Sequence, residues 1–382
     1  MLRIALICPY SLTIPGGVQA QVMGLARELR AQGHEARVLG PCDGAPPATF
    51  VTPLGNSLPM AANGSIAPLA PDFSAALRTI RALRDEAFDV VHLHEPIAPG
   101  PPMTALILRS APAIGTFHMA GESASYRYLG PGVRLAASYL DERVVVSKDA
   151  LALVERYVPG EYEVLFNGVE IERFHDMPAA PDGERAVFFC GRHEPRKGLD
   201  VLLTAHARMP RDVRLWIASD GPDTARLRHE YSGDPRIDWL GRISDEEKIA
   251  RLKGAAVFCA PSLRGESFGV VLIEAMAAGT TVVASALDGY RNVATDGVDA
   301  LLVAPGDVAA LAGALTTALD DASLVAPLRL AGARRAEQFS MRTLAELYLD
   351  RYLALIERSR AAASPPGRSH RWRARMTHML TR

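Results

Sequence analysis

Short apolar runs alternate with amphipathic stretches along most of the chain. Residues 4–8 form a continuous apolar run, and a loop rich in proline and glycine follows it. Residues 18–31 have helical spacing and end near Gly33, after which residues 35–39 are apolar again. Strand, loop, helix, glycine, strand is the rhythm of a parallel α/β sheet. It recurs at residues 90–93, 113–116 and 143–146. From Asn167 to Arg185 it lapses into Asn-Gly, Pro178, Pro181 and Asp-Gly, the composition of an interdomain linker. The rhythm then restarts at residues 186–190, 214–218, 256–260 and 281–284.

This pattern predicts an α/β chain of two Rossmann-like domains facing across a cleft, with residues 1–170 in the first and 171–340 in the second. The last strong helical stretch, 341–360, follows the strands of the second domain and is placed to cross back onto the first. Residues 361–382 carry a Pro-Pro-Gly break and scattered arginines and read as a basic, disordered tail. In open parallel sheets ligands bind beyond the carboxyl ends of the strands, so the loops after the apolar runs are where chemistry is expected.

Composition narrows the picture. The 382 residues are 48% hydrophobic, ample for two cores, and the formal net charge of -1 gives no support to nucleic-acid binding. Cys8, Cys42, Cys190 and Cys259 lie far apart with no C-x-x-C pair, which suggests buried thiols in a reducing, cytoplasmic setting. The N-terminal apolar run is too short for a secretory signal. The longest apolar stretch, 269–287, is interrupted by Glu274 and a Gly-Thr-Thr break, so any membrane contact is expected to be peripheral.

Five segments carry candidate chemistry. Pro15-Gly16-Gly17-Val18 opens a helix after the first strand and suits either an anion or an ordinary tight turn. His92 and His94 alternate onto one face at the end of the third apolar run. A zinc pair is conceivable there, but no further His or Cys cluster accompanies them, which favours a structural or cleft-lining role. His118 ends another strand. Arg192, Arg196 and Lys197 lie in a loop bounded by proline and glycine, a cation set suited to a diphosphate. Finally, Gly265-Glu266-Ser267-Phe268-Gly269 runs into an apolar helix predicted to start at Ser267 or Phe268, which puts Glu274 about two turns inside. Its free N–H groups would hold phosphate oxygens, and the two carboxylates would accept hydrogen bonds from sugar hydroxyls. The bland alternative is a paired core acid at Glu274 and a surface loop residue at Glu266.

Glu266 to Glu274 has the E-x7-E spacing of retaining family 4 glycosyltransferases, which this chain resembles up to about residue 358. The resemblance implies the GT-B arrangement of two Rossmann-like domains. Cys8-Pro-Tyr-Ser11, Asn63-Gly-Ser65, His94-Glu-Pro96, Thr116-Phe-His118 and Glu194-Pro-Arg-Lys-Gly198 narrow it further. Together they are similar to the branch that moves mannose from GDP-mannose to the inositol ring of phosphatidylinositol at the cytoplasmic membrane face. That resemblance implies catalytic roles for His118, Arg192, Lys197 and Glu266. It implies donor contacts from Gly16, Ile243, Asp245, Lys248, Ser267, Phe268, Gly269 and Glu274. Glu266 would hold the donor sugar, Glu274 the ribose and Asp245 the guanine, whose N1–H and N2–H a carboxylate accepts together. Tyr10, Gln19, Asn63, Gly64 and Ser65 would line the acceptor side.

No Asp-x-Asp pair occurs in the chain, so the expected transferase needs no metal and no cofactor beyond the donor substrate. Partners are then a nucleotide sugar and a phospholipid acceptor, without nucleic acid. Leu77, Ile80 and Leu83 alternate with Arg78, Arg81 and Arg84 in a basic amphipathic stretch. It either lies on anionic lipid or packs its apolar residues onto the core. Trp372 among arginines could add a second lipid contact. The expected location is peripheral, on the inner face of the plasma membrane. A UDP-glucose donor with another acceptor stays open, as does an epimerase or hydrolase on the same two domains.

Overall fold

The computed structural model describes residues 1–62, 65–119, 130–181, 183 and 185–363. The basic tail from residue 364, including Trp372, lies outside the described residues, as do Asn63 and Gly64. Among the described residues two parallel sheets organise the chain. The first has the order β3-β2-β1-β6-β7-β8-β9, built from Val51–Pro53, Glu35–Gly40, Arg3–Ile7, Val90–His94, Ala113–Phe117, Glu142–Val145 and Glu163–Val164. The second has the order β12-β11-β10-β13-β14-β15, from Ile237–Gly241, Arg214–Ala218, Ala186–Cys190, Val257–Ala260, Thr281–Ser285 and Leu301–Val303. The order reverses beside β1 in one sheet and beside β10 in the other. Loops after these central strands therefore face a crevice where a ligand can enter.

The apolar runs become central strands because they are covered on both faces. Ile4, Leu6, Val38, Val90 and Ile114 point to one side of the first sheet, and Ala5, Ile7, Leu39, Val91 and Leu93 to the other. In the second sheet Phe188, Trp216 and Phe258 share one core, and Val187, Leu215, Val257 and Cys259 the other. Cys8, Cys42 and Cys259 are buried and unpaired, and Cys190 is half-buried and unpaired.

Helix Met341–Ala363 follows the second sheet in sequence, yet Met341, Leu344, Tyr348, Tyr352, Leu355 and Ile356 pack into the core of the first. Val169 and Met341 exchange backbone hydrogen bonds with Phe339 and Val169 at the return crossing. The helix runs through residues 361–363, which the sequence reading assigned to the tail. A small antiparallel hairpin, β4 (Leu58–Ala62) with β5 (Ser65–Leu69), stands off the first sheet. It is tied to the loop after β1 by a Tyr10–Leu69 bridge and by Ser11 N–H donating to Pro68 O at 3.0 Å.

Helix Phe73–Glu86, capped by Asp72 accepting from Ala75 N–H, settles the choice left open at the basic stretch in part. Leu83 is buried in the core and Ile80 is half-buried, whereas Leu77 and Phe73 are 50% and 77% exposed. Three apolar residues at spacing three do not all face outward, because the buried stripe runs through Ala75, Thr79 and Leu83. Leu83 is therefore withdrawn from the lipid-facing set. Among the described residues no single helix is long and apolar enough to cross a membrane.

Candidate active site

The second domain supplies a compact charged cluster at the carboxyl ends of β10 and β13. The loop after β10 closes with a single 3-10 turn, Pro195–Lys197, and Gly198 at φ 65°. A Cβ on Gly198 would lie 2.1 Å from Pro261 O, so glycine lets this basic loop seat against the loop after β13. Lys197 Nζ then donates to Glu266 Oε1 at 2.6 Å, and Ser262 Oγ donates to the same oxygen at 2.8 Å. Ser262 is 3.0 Å from Tyr290 OH, so the carboxylate is held from below by a buried hydroxyl pair. Arg196 bridges Glu194 at 2.6 Å and Gly265 O at 3.1 Å. Arg192 is exposed, with Glu194 4.0 Å away. Three cations and a mostly buried carboxylate thus share one wall.

The adjacent helix begins later than the sequence suggests. It spans Val270–Ala277, with Gly269 at φ 90° before it, so Ser267 and Phe268 precede the helix. A left-handed residue cannot sit within the first turn, which moves the start past Gly269. Glu274 is consequently about one turn inside, not two. Phe268 is buried edge-on against Phe339, with ring centroids 5.6 Å apart, so its side chain faces core instead of ligand. Ser267 O accepts from Asn292 Nδ2 at 3.2 Å, and the same amide lies 3.3 Å from Asp149 Oδ2 of the first domain.

Glu274 receives Lys248 Nζ at 2.7 Å. Burial disfavours the Lys248 charge, but the Glu274 carboxylate outweighs that penalty and raises the lysine above its ordinary value. Lys248 lies on helix Asp245–Gly254, capped by Ser244 accepting from Glu247 N–H. Asp245 begins this helix with an exposed side chain, 3.7 Å from Arg173 and 3.9 Å from Lys248. Ile243 is half-buried beside it and packs on the second core. Arg27 of helix Gly17–Ala31 grips Glu170 with two hydrogen bonds of 2.6 Å, and Arg173 reaches Glu170 at 3.5 Å. A line of charge therefore joins the first domain to Asp245.

The first domain contributes the facing wall. Gly16 precedes helix Gly17–Ala31 and is exposed. Gln19 folds back under this turn, its amide donating to Ile14 O at 3.1 Å and Ser11 O at 3.3 Å. Those donors are spent inside the loop, so Gln19 shapes the acceptor side and offers it little hydrogen bonding of its own. Tyr10 is half-buried at the hairpin junction, where burial raises its hydroxyl pKa. Ser65 starts β5 at the hairpin turn.

At the end of β7, His118 N–H donates to the buried carboxylate of Glu95 at 2.7 Å. Burial pushes Glu95 up to about 7, although the His118 and Met119 backbone donors pull it the other way. Burial likewise holds His118 down at about 4, partly offset by a hydrogen bond to the Asn167 side chain. His92 uses both ring nitrogens, with Tyr352 OH and Thr116 Oγ1 each at 2.7 Å. Neither is free for a metal, and among the described residues no group of three ligating side chains could hold one.

Sequence reasoning missed Ser262, Tyr290, Asn292 and Glu95. Tyr290 follows β14 at a strand's carboxyl end, the one signal that could have found it. The hydroxyl pair beneath Glu266 brings together residues 28 apart and has no local signature.

The family model for glycosyltransferase family 4 matches residues 15–173, and that for glycosyl transferases group 1 matches residues 184–321. A phosphatidyl-myo-inositol mannosyltransferase of Mycobacterium leprae is 40% identical over 357 residues, covering 90% of this chain and 94% of the relative. The chain belongs to the phosphatidyl-myo-inositol mannosyltransferase family. A second mannosyltransferase relative, from Mycolicibacterium smegmatis, is 38% identical over 353 residues, 88% of this chain and 90% of its own. The chain is a glycosyltransferase of the GT-B fold, and solved structures support the fold independently. Sucrose-phosphate synthase from Thermosynechococcus elongatus superposes with a TM-score of 0.72 at 22% identity, covering 95% of this chain and all of that one. Anabaena HepE, in complex with UDP and glucose, gives 0.70 at 18%, covering 93% and all of its own length.

Proposed function

We propose that this enzyme transfers mannose from GDP-mannose to the inositol ring of phosphatidylinositol, with retention at the sugar carbon. The observation that carries the reading is the near full-length identity of 40% to a phosphatidyl-myo-inositol mannosyltransferase. The site chemistry supports it. Lys197 and Arg192 are positioned in the cleft loop to neutralise charge as the nucleoside diphosphate departs, and stabilising that developing charge lowers the barrier. The cations do here what a bound metal does in other transferases, so activity is expected without one. Glu266, held by Lys197 and Ser262, keeps an oxygen for hydroxyls of the donor sugar. Glu274, which accepts from Lys248, would take the ribose hydroxyls as further donors.

Asp245 supports guanine over uracil. Its exposed carboxylate can accept from the N1–H and N2–H of guanine together, and uracil offers one such donor only. Calorimetric titration tests this part. GDP should bind at least about tenfold more tightly than UDP, a difference of about 1.4 kcal/mol, and D245N should narrow the gap. Tighter binding of UDP would reject the donor assignment.

Membrane contact fits helix Phe73–Glu86, whose outward side carries Phe73 and Leu77 beside exposed Arg78, Arg81 and Arg84. Apolar residues inserted at the headgroup boundary and arginines on anionic phosphates would bring the acceptor hairpin to its lipid. The corresponding location is the inner face of the plasma membrane, where nucleotide sugar and lipid meet.

A further inference from the structure

The ends of β6 and β7 bring together a buried imidazole, His94, and a half-buried one, His118, and only His118 has a role in the reading so far. His94 Nδ1 lies 2.9 Å from His118 Nε2, and the rings are stacked at 24°. His92 stacks on His94 with centroids 4.2 Å apart. His94 is 2% exposed, and its Nε2 is buried with no hydrogen-bond partner among the described residues. Such an orphan in a strand-end cluster needs an explanation.

The tautomers supply one. Burial drives all three rings below their ordinary values, His92 to about 3 and His118 to about 4, so each carries one N–H at neutral pH. With the His94 proton on Nδ1, His118 Nε2 is the lone pair that accepts it, and the one proton of His118 lies on Nδ1. The N–H facing that lone pair is His94 Nδ1–H. His94 Nε2 is then a bare acceptor, a cheaper orphan than a buried N–H. The opposite arrangement, with His118 donating to His94 Nδ1, forces the one proton of His94 onto Nε2, where nothing accepts it.

We propose that His94 is a positioning residue for His118, donating Nδ1–H to Nε2 and thereby fixing the tautomer and ring plane that His118 presents to the cleft. This rests on the catalytic role that the family resemblance implies for His118, read as contact with the transferred sugar. Among the described residues the His118 ring is anchored by His94 and Asn167. Glu95 fixes its backbone at 2.7 Å, and His94 fixes the ring. His92, held between Tyr352 and Thr116, is the rigid plate against which His94 stacks.

The test uses the full chain labelled with 15N-histidine. Long-range nitrogen–proton correlation should show Nδ1 protonated and Nε2 bare on both His94 and His118, and a protonated His118 Nε2 overturns the assignment. H94N keeps an amide donor where Nδ1 stood, so His118 should hold its tautomer and kcat should stay within about fivefold of wild type. H94L removes the donor. It should give mixed His118 tautomers and lower kcat by roughly tenfold or more, with the donor KM changed less. Unaltered His118 resonances and kcat in folded H94L overturn the proposal. H118A separates the two ideas: wild-type turnover there overturns the donor-contact reading, whatever the tautomers of the intact pair.

Discussion

Replacing Glu266 by Gln removes a charge and leaves the shape. Lys197 Nζ is 2.6 Å from its carboxylate, with side-chain exposures of 20% and 12% for Lys197 and Glu266. Breaking one side of a fully buried pair costs about 3–5 kcal/mol, because the remaining ion stays desolvated. Exposure at this cleft lets water screen part of that, so about 1–3 kcal/mol is expected for E266Q. Ser262 and Tyr290 keep the loop in place, and the fold should survive. Turnover should suffer more than stability. The carboxylate would lose its hold on sugar hydroxyls, and Lys197, no longer tied to it, would drift from the diphosphate. Loss of one such electrostatic group lowers kcat by about 10²–10³-fold. K197M should fall by a similar factor. The double variant should lose much less than the product of the two, because both act through one contact. Mannose transfer in the steady state, beside urea unfolding, measures both quantities. Wild-type turnover in folded E266Q or K197M, or strictly multiplicative losses, would refute the reasoning.

Three further outcomes follow from the same geometry. The histidines at 92, 94 and 118 have folded pKa values below the ordinary 6.5, so their stability contribution is complete above that value and is lost as pH falls. Glu95 at about 7 acts oppositely between 7 and its ordinary 4.5, gaining stability as pH falls. Near pH 5.5 unfolding therefore takes up about two net protons from this cluster, and the slope of the unfolding free energy should steepen from about 1 kcal/mol per pH unit at 6.5 to about 2.5 kcal/mol per pH unit there. A flat urea midpoint from pH 6.5 to 5.5 would contradict the buried, neutral cluster. Y352F removes the hydroxyl facing His92 Nδ1 at 2.7 Å and should cost about 1–3 kcal/mol by urea unfolding. An unchanged midpoint would mean the crossing helix does not depend on that bond. Replacing Phe73 and Leu77 together by Ser should weaken sedimentation with anionic vesicles at least about tenfold and leave GDP binding intact. Equal sedimentation would move the lipid contact elsewhere.

The parallel α/β architecture was legible because central strands are buried on both faces and read as uninterrupted apolar runs. Residues 186–190 and 214–218 match β10 and β11 end for end. The edges were not legible. β3 and β15 have three residues each, and β9 has two, too few for any periodicity to register. The hairpin of β4 and β5 carries Pro59 and Pro68, which argue against strands when read locally. In the site, the spacing of Glu266 and Glu274 reads as one loop running into one helix, and the structure has that loop and that helix. What spacing could not reveal was the start of that helix, which a single left-handed glycine shifts, or the inward turn of Phe268. Partners distant in sequence, such as Ser262 with Tyr290 and His92 with Tyr352, are set by packing of separate elements and leave no local pattern.

The central claim concerns the acceptor and the sugar moved. Purified full-length enzyme incubated with radiolabelled GDP-mannose and phosphatidylinositol-containing vesicles, in the presence of a metal chelator, tests it most directly. The account predicts label in a lipid product that releases mannose only to an α-mannosidase. It predicts no such product when phosphatidylinositol is omitted or UDP-glucose replaces the donor. Labelled free mannose without lipid, or transfer that proceeds equally from UDP-glucose, would contradict it.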